Sequence, residues 1–282
     1  MDRRTFLLGA TVASGFPIRS ALGADSTGTS SRFKLYNQLH FRNMPASVTN
    51  QLDTLPVVYA NQLWAGKTMS EEPDTEYIKK QFGDGKLANA DKIICLDVEH
   101  WPFRRVDKQT LEKTIARYLK LLRSFKALYP DYRIGFFELA PPPLYPLFDQ
   151  FGTGPVDEEL LHYWERETLT LKPVFDEVGI LFPQLYSRWP EAVSHWENCA
   201  KNVLIVAREL AKDRPVVPFL WPQFWVDKNP IISGAYWQRM LEVVQRYADS
   251  AVLWSIYEGA PEWEPGFGWW AETQAFLQQV KP

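Results

Sequence analysis

Seven short runs of apolar, β-branched and aromatic residues recur along this chain, at 33–39, 56–60, 92–98, 132–138, 178–186, 215–221 and 251–257. Their apolar character is continuous rather than alternating, as expected of strands buried on both faces. Helical patterns lie between the later runs. Leu111, Ile115, Tyr118, Leu119, Leu122 and Phe125 step at three and four, as do Val193, Trp196, Ala200, Val203, Ala207 and Leu210. Further helices are expected around 157–172 and 234–247 and over the closing WWAETQAFLQQV. Strand then helix, repeated, means parallel strands with helices outside. Seven repeats in about 250 residues suit a closed β/α barrel of the TIM type better than an open sheet. No linker divides the chain after residue 32, so residues 32–282 read as one catalytic domain.

In such barrels the active site lies at the C-terminal ends of the strands. Here those ends read NQLH, NQLW, DVEHW, ELAPP, QLYSRW, LWPQFW and WSIYEG. Rings stand beside amides and acids in almost every repeat. That composition suits carbohydrate, which offers apolar ring faces to aromatics and hydroxyls to polar groups. A polysaccharide or oligosaccharide is therefore the expected ligand.

The third run, ICLDVEHW, ends in two carboxylates. On a strand Cys95, Asp97 and Glu99 share one face, and Ile94, Leu96 and Val98 the other. Asp97 and Glu99 are expected inside the barrel, some 6–7 Å apart along the strand. Repulsion between them in a partly desolvated place keeps one protonated near neutral pH. A protonated carboxyl is what a glycosidic oxygen needs from a general acid. Two acids on one strand do not flank a bond from opposite sides. This favours a substrate-assisted route, in which the sugar's own 2-acetamido oxygen attacks the anomeric carbon.

With LDVEHW, the motifs LFPQLYSRW, VVPFLWPQFWVDK and AVLWSIYEG give the chain a resemblance to the hyaluronidase family of glycoside hydrolases over roughly residues 33–260, and more distantly to chitinase-like hydrolases. The resemblance implies a distorted barrel of seven strands, in line with the independent count. It implies Glu99 as general acid/base and Asp97 as the group that positions the acetamide. Tyr186 hydrogen-bonds the acetamide carbonyl, and Trp254 forms the floor under its methyl. Trp221 matches an aromatic in the penultimate strand's motif. Trp101, Trp221, Trp254, Glu138 and Glu258 are the candidate substrate-binding residues. The chain departs from the family at Val98, His100, Pro222 and Phe224, and the family's disulfides have no counterpart. Its acidic balance also points away from hyaluronan itself.

Two other readings stand beside this one. Two of Glu99, Glu138 and Glu258 could form the acid/base and nucleophile of a retaining glycosidase, about 5–5.5 Å apart. Alternatively, the barrel binds sugar without cutting it. His40, His100, His162 and His195 lack paired ligand spacing, and His162 and His195 are expected on helix surfaces, so neither metal nor cofactor is called for.

The N-terminus is expected to be a signal peptide. Residues 1–24 join a basic start to a short apolar run and a small-residue end. Arg3-Arg4 before Thr5-Phe6-Leu7 resembles a twin-arginine signal, implying the twin-arginine export machinery as a partner and an exported protein without stable membrane insertion. Residues 25–31 read as a linker. Removing residues 1–24 shifts the formal charge from −3 to −5. No basic stripe suggests nucleic acid. Cys95 and Cys199 exclude a disulfide framework and leave a single bond open.

Overall fold

The computed structural model describes residues 33–66, 72–142, 158–190 and 192–280. The expected signal peptide and linker lie outside them. Strand β1 (Lys34–Gln38) pairs in parallel with β2 (Asp53–Thr54) on one side and with β7 (Ser250–Trp254) on the other. Strand β3 (Val57–Tyr59) pairs with β4 (Ile93–Asp97), β4 with β5 (Arg133–Phe136), and β6 (Phe219–Leu220) with β7, all parallel.

Isolated parallel bridges join these two sheets. Phe137 pairs with Phe182, Leu181 with Val216, and Gln184 with Phe219, so the segment 181–184 sits between β5 and β6. On the other side, β2 and β3 lie on one stretch of chain that pairs first with β1 and then with β4. The ring closes in chain order, as a distorted β/α barrel with seven strand positions among the described residues.

Proline accounts for the distortion. Pro56 separates β2 from β3, Pro183 interrupts the fifth position, and Pro215 and Pro218 shorten the sixth to two residues. None can donate to a ladder, although their carbonyls still accept: Cys95 N–H bonds Pro56 O at 3.0 Å and Phe219 N–H bonds Pro183 O at 2.9 Å. The expected continuous strand over 178–186 is therefore a set of bridges.

The segment 180–184 also needs room against β5. A Cβ on Gly135 would overlap the Ile180 carbonyl. Gly135→Ala is expected to cost about 2–3 kcal/mol of stability by forcing these positions apart. Denaturant unfolding measures this, and an unchanged midpoint contradicts the tight approach.

Helices cover the outside. Asp107 caps α3 (Lys108–Leu128; numbering α1, Ala46–Thr49, and α2, Thr75–Phe82, before it) by accepting from Thr110 N at 2.9 Å. Its inner stripe buries Tyr118, Leu121, Leu122 and Phe125. Then follow α4 (Glu158–Thr170), α5 (Lys172–Phe175), α6 (Val193–Ala211), α7 (Gly234–Tyr247) and α8 (Gly268–Gln279). Helices α1 and α2 were not expected from periodicity, α1 being a single turn. No helix among the described residues is long and apolar enough to cross a membrane.

Two apolar layers result. Ile94, Leu96 and Val98 face the helices, while Ile93 and Cys95 point into the barrel with Phe137, Ile180, Phe182, Phe219 and Val252. Cys199 belongs to the outer layer and Cys95 to the inner one, and neither is disulfide-bonded, which rules out the one disulfide the sequence left open. Trp263, Phe267 and Trp269 gather around Phe41 at 5.5–5.8 Å, where the PEWEPGFGWW segment packs.

Candidate active site

Asp97 is the last residue of β4 and continues the inward face of Ile93 and Cys95. Glu99 follows two residues on, just past the strand's last residue, and the two carboxyls share a hydrogen bond. Glu138 follows β5 and bonds the same Glu99 carboxyl. Its backbone is left-handed, with φ 48°, a conformation that costs a residue with a Cβ about 1 kcal/mol or more. Gln184 Nε2 donates to Glu138 Oε2 at 2.9 Å. Glu99 is thus the middle member of three linked carboxyls.

The electrostatics follow from this packing. Burial and then the Glu99 charge push Asp97 up to about 8. Burial and Glu99 also push Glu138 up to about 9, with Arg104 opposing them. Both are neutral acids at pH 7, each offering a proton to Glu99.

An aromatic wall faces the acids. Tyr186 stacks on Trp254 (5.2 Å, 18°), while Trp221 meets Trp254 edge-on (5.1 Å, 74°) and lies 5.4 Å from Tyr186. The rings hold one another through polar handles as well: Trp254 donates to the Tyr59 hydroxyl, and Trp221 Nε1 donates to Gln223 Oε1 at 3.0 Å. Burial raises Tyr59 to about 12, so it remains a hydroxyl donor at neutral pH. The wall and the acids enclose about 210 Å³, and no Lys or Arg is among the lining residues. At the edge, Arg188 lies 5.0 Å over the face of Trp225.

Asp97, Glu99, Tyr186, Trp221 and Trp254 all line this pocket, and Glu138 backs it. Two candidates lie outside it. Trp101 is 1% exposed and packs in the outer layer against Tyr118 (4.9 Å) and Trp64 (5.8 Å), because the bend after Asp97 turns it away from the barrel axis. Glu258 is exposed and outside the pocket lining, beyond the end of β7. Of the glutamate pairs only Glu99 and Glu138 meet, and two directly hydrogen-bonded carboxyls leave no room for a sugar between them. His195 is buried against Trp189 at 4.2 Å rather than on the helix surface. Tyr59, Gln184, Trp225 and Ile256 line the pocket as well and were not singled out. Among the described residues no three His, Cys, Asp or Glu side chains are arranged to hold a metal ion.

No family model matches the chain, and no curated protein matches it by sequence. Solved structures do. The crystal structure of bee venom hyaluronidase superimposes with a TM-score of 0.58 at 13% identity, covering 88% of this chain and 96% of that one. The same protein in complex with a hyaluronic acid tetramer gives 0.56 at 12% identity, with the same coverage. At such identity the likeness is one of fold.

Proposed function

We propose that this chain is an exported glycoside hydrolase that cleaves next to an N-acetylhexosamine, with the sugar's acetamide as nucleophile. One observation carries the reading: a hydrogen-bonded Asp97–Glu99 pair at a barrel strand end, facing a wall of Tyr186, Trp221 and Trp254. The hyaluronidase-like fold agrees with it, and residues 1–24 serve as the export signal, leaving 32–282 as the catalytic domain.

In the proposed reaction the sugar ring rests on the aromatic wall. Its acetamide lies between Tyr186 and Asp97, with the methyl on Trp254. Asp97 passes its proton to Glu99 and accepts the acetamide N–H. Glu99 gives the proton to the glycosidic oxygen as that bond breaks and the acetamide oxygen bonds to the anomeric carbon. Water then opens the cyclic intermediate, returning a proton to Glu99, and the configuration is retained. The Tyr186 hydroxyl and the neighbouring carboxylate stabilise charge as it develops on the acetamide.

The Glu99 carboxylate and a pocket lining without cations oppose a polyanion, so an uncharged N-acetylated glycan is the proposed substrate. Reducing-end release from chitin oligomers, hyaluronan, chondroitin, de-N-acetylated chitosan and a plain β-glucan tests this. Turnover confined to N-acetylated chains, fastest on the uncharged ones, is expected. Cleavage of the β-glucan refutes the acetamide mechanism. Binding without any turnover identifies a barrel that only holds sugar.

A further inference from the structure

Resting on that reading, we propose that Glu138 is a positioning residue for the general acid: a neutral carboxyl that donates its hydrogen to Glu99, held in that role by Gln184. The geometry assigns its two oxygens different tasks. Oε2 accepts the Gln184 amide at 2.9 Å, leaving Oε1 to carry the proton that meets Glu99. Gln184 bridges to β6 through Phe219 and belongs to a buried segment, so its amide is fixed before substrate arrives. The left-handed backbone at Glu138 completes the arrangement. Phe137 points into the barrel, so ordinary strand alternation would send Glu138 outward, and the φ of 48° turns it back.

The chemical consequence concerns the moment when Glu99 releases its proton. The Glu99 carboxylate that forms already has a donor in place, so the charge is stabilised without rearrangement. After water attack Glu99 takes a proton back, and Glu138 keeps its own throughout. This role is incompatible with Glu138 as nucleophile, which requires an ionised carboxyl facing the anomeric carbon. The groups around Glu138 are Asp97 and Glu99 at the end of the third strand position, Arg104 from the loop after it, and Tyr118 of α3, whose hydroxyl donates to Val98 O at 2.9 Å. Arg104 is the one that opposes the neutral form.

A neutral glutamic acid and glutamine have the same shape and the same donor–acceptor pattern, and this makes the proposal testable. In Glu138→Gln the amide oxygen accepts from Gln184 and the amide nitrogen donates to Glu99. We expect kcat on N-acetylated oligomers to fall by no more than several-fold, with the alkaline limb of the pH profile displaced because this group no longer titrates. Glu138→Leu removes the donor and is expected to lose about a hundredfold in kcat with little change in KM. Inactivity of Glu138→Gln overturns the proposal, as does an activity profile in that variant identical to wild type. Should Glu138→Leu fail to fold, the glutamine profile decides alone.

Carboxyl carbon-13 NMR separates this proposal from the assigned reaction. In unliganded wild type the Glu138 resonance is expected to titrate above neutrality, and in Glu99→Gln to move down toward the ordinary carboxylate range. A Glu138 resonance titrating near 4 in wild type overturns the proposal whatever the enzyme cuts. The expected titration, together with silence on every sugar, sinks the hydrolase reading and leaves the linked carboxyls standing.

Discussion

Glu99→Gln is expected to lower kcat on N-acetylated oligomers about 10³-fold while sugar binding persists. General acid catalysis contributes roughly 10² to 10⁴ in rate, and here one side chain serves both as acid and, in the second step, as base. Glutamine occupies the same volume and still bonds Asp97 and Glu138, so the pocket and its aromatic wall survive. What it lacks is a proton that can be lost to the leaving oxygen. Steady-state kinetics combined with calorimetric titration of the variant against an uncleaved oligomer separates the two quantities. A variant with more than a tenth of wild-type kcat removes Glu99 from the acid role. Loss of binding together with turnover also contradicts the assignment, because the aromatic wall rather than the acid is expected to hold the sugar.

The barrel was legible in the sequence because seven apolar runs alternate with helical patterns, and the inward face of most runs follows from their period-2 parity. Inward residues run in steps of two: Ile93, Cys95 and Asp97; Ile180, Phe182, Gln184 and Tyr186; Val217, Phe219 and Trp221; Val252, Trp254 and Ile256. Had that rule been applied to every run, Gln184 and Ile256 would have joined the site, since they share parity with Tyr186 and Trp254; the second run held no placed residue to bring Tyr59 in. The same rule misleads once the strand stops. Trp101 and Glu258 carry the inward parity of Asp97 and Trp254, but each lies four residues past the last strand residue, whereas Glu99 and Ile256, only two past it, still face inward. Glu138 fails in the opposite sense. It has outward parity and reaches the acids only through a left-handed backbone that no glycine announces. Prolines shortened the second, fifth and sixth positions without moving their faces, because a missing N–H costs a ladder bond and leaves the pleat intact.

The carboxyl cluster should also govern how stability depends on pH. The folded chain holds the Asp97 proton up to about pH 8 and the Glu138 proton up to about pH 9, whereas the unfolded chain releases both near pH 4. Between those limits unfolding releases protons, so the contribution these groups make is fully present below about pH 4 and is lost as pH rises toward 8 and 9. Each unit of difference is worth about 1.4 kcal/mol. The two sites are linked through Glu99 and do not add, so the expected loss between pH 5 and pH 9 is of the order of one site's, about 4–5 kcal/mol. For a domain of this size that is about 10–20 °C in Tm. Asp97→Asn keeps the neutral shape and has no proton to lose. Its Tm is expected to match wild type near pH 4 and to exceed it by about 10 °C at pH 8, while turnover collapses because asparagine cannot become the carboxylate that accepts the acetamide N–H. Scanning calorimetry of both proteins across this range gives the answer. A wild-type Tm that is flat with pH, or an asparagine variant with no advantage at pH 8, contradicts the protonated cluster. A growing advantage paired with lost turnover would show that the strand end gives up stability to keep its acids ready for the substrate.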